Sequence, residues 1–503
     1  MIAQVLKVLL ALAAGASITL ALAPFDLKPL VLAGPALLYL LQRHQSPRQA
    51  LISGYSFGLG FWGAGVSWVY VSIHTYGNAS PLLAGVLTGL FVMALALLFA
   101  LQGWLFARLA RRADRQWLTF SAVWVGFEWL RSWLLTGFPW LYLGYAALDT
   151  PLEPWAPLSG VWGLSLLLML LATGLVQSLL ERRGQPLIPG LLLCLASLFL
   201  PAAWTQPMDE TPPLKVALIQ PNIPQLQKWL PSQLEPILQL QIRLSRQHPD
   251  ADLLIWPETA IPATFNRAAP LLGPFLDQLD HRGTALISGF PYAEADPDRP
   301  LGQRFHNSLG LFSAGSDLYH KQRLVPFGEY VPLEQQLRGI IDFFNLPMSS
   351  FSLPEDHTAP LQWGDLKIAP AICYEIAYPQ LVSRLSRQSA LILTVSNDTW
   401  FGRSIAPEQH LQIARMRALE NGRWVVRATN NGYTALIDPQ GKISQQAPLD
   451  RATTLAGEVI PTQGRTPWQQ LGIWPLLVML LGLLGFGYGL PGQRDSLKHH
   501  PAA

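Results

Sequence analysis

Leu366-Lys-Ile-Ala-Pro-Ala-Ile-Cys-Tyr-Glu-Ile376 reads as a buried strand that runs into a cysteine, with a helix-compatible stretch, residues 379–387, close behind it. Short apolar runs of the same kind lie on both sides. They are Lys215-Val-Ala-Leu-Ile219, Asp252-Leu-Leu-Ile-Trp256, Thr284-Ala-Leu-Ile-Ser288 and Ala390-Leu-Ile-Leu-Thr-Val395. Runs of four to eight apolar residues, rich in β-branched side chains, are the mark of strands buried on both faces. Residues 234–247 are helix-compatible, so strands and helices alternate and predict an α/β sandwich. Tyr433-Thr-Ala-Leu-Ile437, Asp438-Pro-Gln-Gly441 and Lys442-Ile-Ser444 predict a strand, a tight turn and a returning strand. This water-facing domain spans residues 214–460, long enough for one well-cored unit.

Outward from that domain the composition changes. The chain has 503 residues, 50% hydrophobic and only 13% charged, against about 25% charged in a soluble globular protein. Residues 1–204 hold 11 Lys/Arg and 6 Asp/Glu, whereas residues 205–469 hold 22 and 25. A membrane part is therefore joined to a polar part, which excludes a purely soluble or disordered chain. A net charge of +3 without a basic stripe gives no nucleic-acid partner. Two cysteines, Cys194 and Cys373, exclude a disulfide framework and a cysteine-rich metal site, so neither metal nor cofactor is expected.

A helix needs about 20 apolar residues to cross a bilayer. Clear spans fall at about 50–72, 81–107, 154–180, 184–204 and 471–490, with a further one at 5–23. A cleaved signal peptide is the rival for 5–23, because Lys7 precedes an apolar run ending Ala21-Leu-Ala23. Residues 27–42 are short, with Lys28 placed to snorkel. Residues 117–135 carry Glu128 and Arg131, an i,i+3 pair that either braces the structure or meets a lipid headgroup. Eight spans with the N-terminus inside put Lys7, Arg43, Arg48, Arg108, Arg111, Arg112, Arg115, Arg182, Arg183, Arg494 and Lys498 in the cytoplasm. Only Lys28 then lies in the short outer loops, as the positive-inside rule requires. The resulting organisation is a seven-span membrane domain (1–204), a linker (205–213), the α/β domain outside the membrane (214–460), a second linker (461–470), an eighth span (471–490) and a cytoplasmic tail (491–503).

Cys373, at a sharp strand-to-helix turn, is a candidate nucleophile; backbone N–H groups aimed at such a turn lower a thiol pKa. Its competing reading is a small buried hydrophobe, which suffices for Cys194 inside a span. A thiol nucleophile needs a proton acceptor and a group to hold the oxyanion. His306, His320, His357 and His410 form no recognisable pair with it. Glu258 ends Leu253-Leu-Ile-Trp-Pro-Glu-Thr259, where Pro257 stops strand pairing, and Lys321 follows the strand-like start of Leu318-Tyr-His-Lys-Gln-Arg-Leu-Val-Pro-Phe-Gly-Glu-Tyr330.

In that order and spacing, Trp-Pro-Glu258, the Lys321 segment and Ile-Cys373-Tyr-Glu resemble the Glu-Lys-Cys triad of the nitrilase, or carbon–nitrogen hydrolase, superfamily. Ser396-Asn-Asp-Thr-Trp-Phe-Gly402, Ala414-Arg-Met-Arg-Ala-Leu-Glu-Asn-Gly422 and Thr429-Asn-Asn-Gly432 extend the likeness. With seven spans before the domain and one after it, the whole chain resembles the apolipoprotein N-acyltransferase family. It departs from that pattern at Ala406-Pro407-Glu408, where no triad residue lies. The resemblance implies an αββα sandwich beside about eight transmembrane helices, in the bacterial inner membrane with both termini cytoplasmic and the catalytic domain periplasmic. It implies transfer of an acyl chain from a phospholipid, typically phosphatidylethanolamine, onto Cys373 and then to the α-amino group of a diacylated apolipoprotein. By the same resemblance Glu258 is the general base and Lys321 the oxyanion partner. Glu329 supports Lys321, Tyr374 and Glu375 support the nucleophile, and Trp229 and Asn307 line the substrate pocket.

Residues 340–351 (Ile340-Ile-Asp-Phe-Phe-Asn-Leu-Pro-Met348, then Phe351) are too apolar for an ordinary surface loop. Phe343 and Phe344 are expected to dip into the interface or cover acyl chains; packing on the domain's own core is the other reading. Two rival functions remain. A membrane-tethered amidase would share the triad and use water as acceptor, and a transporter would need more intramembrane charge than Glu128 and Arg131 supply.

Overall fold

The computed structural model describes residues 2–209, 211–297, 302–330, 350–356 and 359–489. Two six-stranded sheets form the water-facing domain. The first contains β2 (Leu214–Gln220), β3 (Leu253–Ile255), β4 (Ala285–Ala295), β5 (Gln303–Phe312), β6 (Asp317–His320) and β13 (Thr453–Val459), in the order β13-β2-β3-β4-β5-β6. The second runs β12-β11-β10-β9-β8-β7, from β7 (Leu361–Trp363), β8 (Leu366–Ile372), β9 (Leu391–Ser396), β10 (Val425–Thr429), β11 (Ala435–Ile437) and β12 (Ile443–Gln446). Each sheet has three parallel strands at its centre, β2-β3-β4 in one and β8-β9-β10 in the other, flanked by antiparallel strands.

Alternation along the strands makes the layers. Val216 and Leu218 of β2 face the partner sheet and join a core with Ile368, Ile372 and Leu393. Ala217 and Ile219 point the other way, onto helices Leu234–Ser245 and Phe265–Asp280 through Leu238, Ile242, Leu272 and Phe275. Helices Pro379–Ser386 and Ala406–Asn421 cover the second sheet, completing the α–β–β–α order expected from the sequence.

Three helices among the described residues are long and apolar enough to cross a membrane: Gln4–Ala21, Pro81–Leu109 and Glu153–Glu181. The expected span at 50–72 is instead helix Pro47–Gly65 followed by a break and a short π-turn, Ser72–Tyr76. The expected span at 184–204 is shortened to Ile188–Ala196 with a tight turn at either end. Lys28 pairs with Asp26 at 2.9 Å. Glu128 and Arg131 are both buried, 3.7 Å apart, and the Arg131 guanidinium also donates to the carbonyls of Trp140 and Leu141. They form a brace, so the headgroup-contact reading is set aside. The linkers are less free than their composition suggests, because β1 (Gln206–Pro207) and β14 (Thr462–Gln463) pair as a ribbon.

Helix Ala406–Asn421 joins the two halves and is buried on nearly all sides. One face lies on the second sheet and the other on helix Ala156–Glu181. Gln409 accepts from Trp140 Nε1 at 2.7 Å, and Glu420 accepts from the Val161 N–H at 2.7 Å. Gly160, at φ +66°, frees that N–H and brings the backbone against the Trp468 ring, where a Cβ would sit 2.9 Å from the nearest ring carbon.

Candidate active site

Glu258, Lys321 and Cys373 each leave the end of a strand. Glu258 follows β3 after Pro257, and its loop lies so close to β4 that a Cβ on Gly289 would be 2.4 Å from the Thr259 nitrogen. Only glycine permits that approach. Lys321 extends β6, its N–H donating to the Asn307 carbonyl at 2.9 Å. Cys373 follows β8 with φ +52°, a left-handed backbone that turns the chain sharply into Cys373–Ala377.

The three strand ends converge. The Lys321 ammonium donates to Glu329 Oε1 at 2.8 Å and lies 3.4 Å from Glu258 Oε1. Asn307 Nδ2 donates to both carboxylates, 2.8 Å each. The other oxygen of Glu258 accepts from the Asn397 N–H at 3.0 Å, and that of Glu329 from the Val325 N–H at 2.8 Å. All four side chains are at least nine-tenths buried. Burial pulls the Lys321 ammonium down, but Glu329 and Glu258 outweigh it and hold it well above its ordinary value. The Cys373 thiol is pushed up, by burial first and then by the Glu258 carboxylate, with Lys321 pulling against them. The direction is opposite to the lowering expected from the turn: burial and the carboxylates of Glu258, Asp398 and Glu329 outweigh it. Among the charged groups, Glu258 weighs most on this thiol.

Comparison with known proteins identifies the family. Residues 14–174 match the family described as apolipoprotein N-acyltransferase N-terminal domain, and residues 215–465 match carbon–nitrogen hydrolase. The apolipoprotein N-acyltransferase of Pseudomonas syringae pv. tomato is 50% identical over 500 residues, covering 97% of each chain. The chain belongs to the apolipoprotein N-acyltransferase family. The same-named protein of Vibrio parahaemolyticus is 40% identical over 96% of each chain. Among solved structures, Nit3 of Saccharomyces cerevisiae, a nitrilase-superfamily member, aligns with 50% of this chain and 90% of its own at 19% identity and TM-score 0.36.

In this N-acyltransferase chain the supporting residues fall into distinct places. Glu375 is a brace under the nucleophile. Its carboxylate accepts from the N–H groups of Ile372 and Gln322 at 2.8 and 2.6 Å and from the Tyr319 hydroxyl at 3.0 Å. Burial pushes it up to about 7 against the pull of those donors. Tyr374 reaches the other way, donating to the Gly137 carbonyl at 3.1 Å in the membrane half. Trp229 packs with Leu324, Phe351, Tyr330 and Trp400. Asn307 was expected in the substrate pocket; it sits inside the carboxylate cluster, with only its buried Oδ1 unpartnered. Phe343 and Phe344, and with them the lid expectation, lie outside the described residues.

Three residues missed in the sequence stand behind Cys373. His410 Nε2 donates to the Cys373 carbonyl at 3.2 Å, and its Nδ1 accepts from Arg427 Nη2 at 3.1 Å. Arg427 also donates to Asp398 at 2.7 Å. Burial and Arg427 push the His410 imidazole down, while Asp398, whose Oδ1 lies 3.2 Å from Nδ1, pulls it up. Against burial, Arg427 and His410 hold the Asp398 carboxyl well below the usual carboxylate range. Lys228 was missed too: it donates to the Glu258 carbonyl at 2.9 Å, and burial pushes it down to about 8.

Proposed function

We propose that this chain transfers a fatty acyl group from a phospholipid, phosphatidylethanolamine in the first instance, to the α-amino group of a diacylglyceryl-cysteine apolipoprotein, through a thioester on Cys373. The observation that carries the reading is the buried cluster of Glu258, Lys321, Glu329 and Asn307, which meets the strand end where Cys373 turns at φ +52°. Glu258 takes the Sγ proton as sulfur attacks the ester carbonyl carbon. The tetrahedral oxyanion forms beside the Lys321 ammonium, with the Tyr374 N–H as second donor. Collapse breaks the ester C–O bond, and Glu258 returns its proton to the departing lysophospholipid oxygen. The uncharged amine of the acceptor then attacks the thioester, Glu258 takes the amine proton, and the C–S bond breaks to leave the thiol and an amide.

Glu329, bonded to both Lys321 and Asn307, holds the ammonium in register, and Asn307 keeps the two carboxylates apart. No step calls for a metal or cofactor. The reading places residues 214–460 in the periplasm, tied to an eight-span membrane part with both termini in the cytoplasm. The break at Ser72–Tyr76 supports a membrane part that reaches the site, since Ser72 Oγ donates to the Trp400 carbonyl at 2.8 Å.

A chase experiment tests the second half of the reaction. Enzyme preloaded with acyl chain is mixed with a diacylated lipopeptide or with buffer alone. The lipopeptide should clear the label as N-acyl product at least about 100-fold faster than water does, because a positioned amine competes at high effective concentration. Equal clearance by water would make the chain a hydrolase and sink the transferase reading.

A further inference from the structure

Where the chain leaves the membrane half and where it returns, Met208 and residues 462–465 line a cavity of about 280 Å³ outside the candidate active site. Lys367, Arg387, Arg423 and Arg465 line it, against a single carboxylate, Asp365. Among the described residues none of the four cations is in an ion pair. The Arg423 guanidinium is buried at the back. It donates to the carbonyls of Ser389 and Gly464, both at 2.6 Å, and more distantly to the Gly422 carbonyl and Thr462 Oγ1; all four are neutral acceptors, so its charge has no anion. Burial and the neighbouring Arg465 push Arg423 down to about 10, the sign of a cation short of an anion. Arg465 Nε is tied to the backbone carbonyl of Arg387 at 3.1 Å, which fixes the exposed Arg465 side chain against the Arg387 backbone.

The place of the cavity follows from its walls. Arg465 precedes Thr466, which caps helix Pro467–Leu471, and Trp468 of that helix is buried on helix Ala156–Glu181. The opposite wall, at Met208, follows Trp204 at the end of the last apolar segment before the domain. The cavity thus lies between the two points where the chain passes from apolar segments to the α/β domain.

We infer that this cavity binds a phosphate-bearing anion, supplied by the headgroup of an anionic phospholipid. Phosphate oxygens accept from Arg and Lys with charge-assisted geometry, and each cation near a lipid surface adds to the attraction. Such a lipid would pin the ribbon of β1 and β14, and so the domain, against the bilayer.

Native mass spectrometry of the full chain in detergent tests this with three probes: phosphatidylglycerol, phosphatidylcholine and inorganic phosphate. The wild type should retain phosphatidylglycerol over phosphatidylcholine. Arg387→Glu/Arg465→Glu should lose that retention by roughly thirtyfold, and Arg387→Lys/Arg465→Lys should keep most of it. A phosphate adduct lost in the same variant, without lipid retention, would support the anion site with free phosphate as its source. Equal adducts in wild type and the Glu variant overturn the inference. Should the Glu variant not fold, Arg387→Gln/Arg465→Gln, checked by its unfolding temperature, gives the same comparison.

Discussion

Cys373 faces two opposed demands: its backbone turn would favour a thiolate, while its neighbours are carboxylates in a dry site. Burial and the carboxylates raise the thiol, so the proposed reaction needs Glu258 to make the thiolate on demand rather than a stored anion. One pH test follows. With its pKa raised, the thiolate fraction keeps growing as pH rises, so alkylation of Cys373 by iodoacetamide should climb without levelling off below the ordinary thiol value of 9.0. A plateau near neutral pH would mean a stored thiolate. At Lys321, replacement by Met removes the oxyanion's cation and leaves Glu258 and Glu329 facing each other. We expect kcat for acyl transfer to fall about 10²–10³-fold, measured at a temperature where the variant, destabilised by its two unpaired buried carboxylates, is still folded. Glu258, Lys321 and Cys373 were legible in the sequence because each lies in a short motif at a strand end. Asn307 was legible as a site residue, but its bonds to two carboxylates, at 258 and 329, were not, because only the folded sheet brings them to it.

The elements that carry these residues were largely legible as well: runs of buried apolar residues mark β2, β3, β8 and β9 wherever they stand. The support behind Cys373 was not. His410 lies on a helix, Asp398 in a turn and Arg427 on β10, so no local pattern joins them. Arg427→Met should leave the buried Asp398 carboxylate without its guanidinium, with only Ser396 and His410 beside it, costing about 3 kcal/mol of stability; a urea midpoint unchanged from wild type would contradict the assignment. Gly289→Val tests a second element. Its side chain would press on the backbone of Thr259 and Glu258, so the Glu258 loop must shift. Acyl transfer should drop about 100-fold, since small misplacement of a catalytic group costs that much, with Cys373 still open to alkylation.

At the scale of the whole molecule, the charge-poor and charged parts seen in the composition are not an anchor and its cargo but two halves sharing a buried helix. Helix Ala406–Asn421 touches the membrane part through Gln409 and Glu420 and the nucleophile turn through His410. Sequence could not reveal this, because a helix buried on both faces has no amphipathic stripe to read. The breaks in the apolar stretches 50–72 and 184–204 were equally hidden, since apolar composition marks a span but not where packing interrupts it. All of this serves one claim, that Cys373 carries the acyl chain between two lipid substrates. Intact-protein mass spectrometry tests it most directly, on purified protein mixed with phosphatidylethanolamine and no acceptor. The account predicts that the wild type gains the mass of one acyl chain, that Cys373→Ala gains none, and that Glu258→Gln gains it far more slowly. A wild type that stays at its unmodified mass, or a Cys373→Ala variant that still takes up the chain, would contradict it.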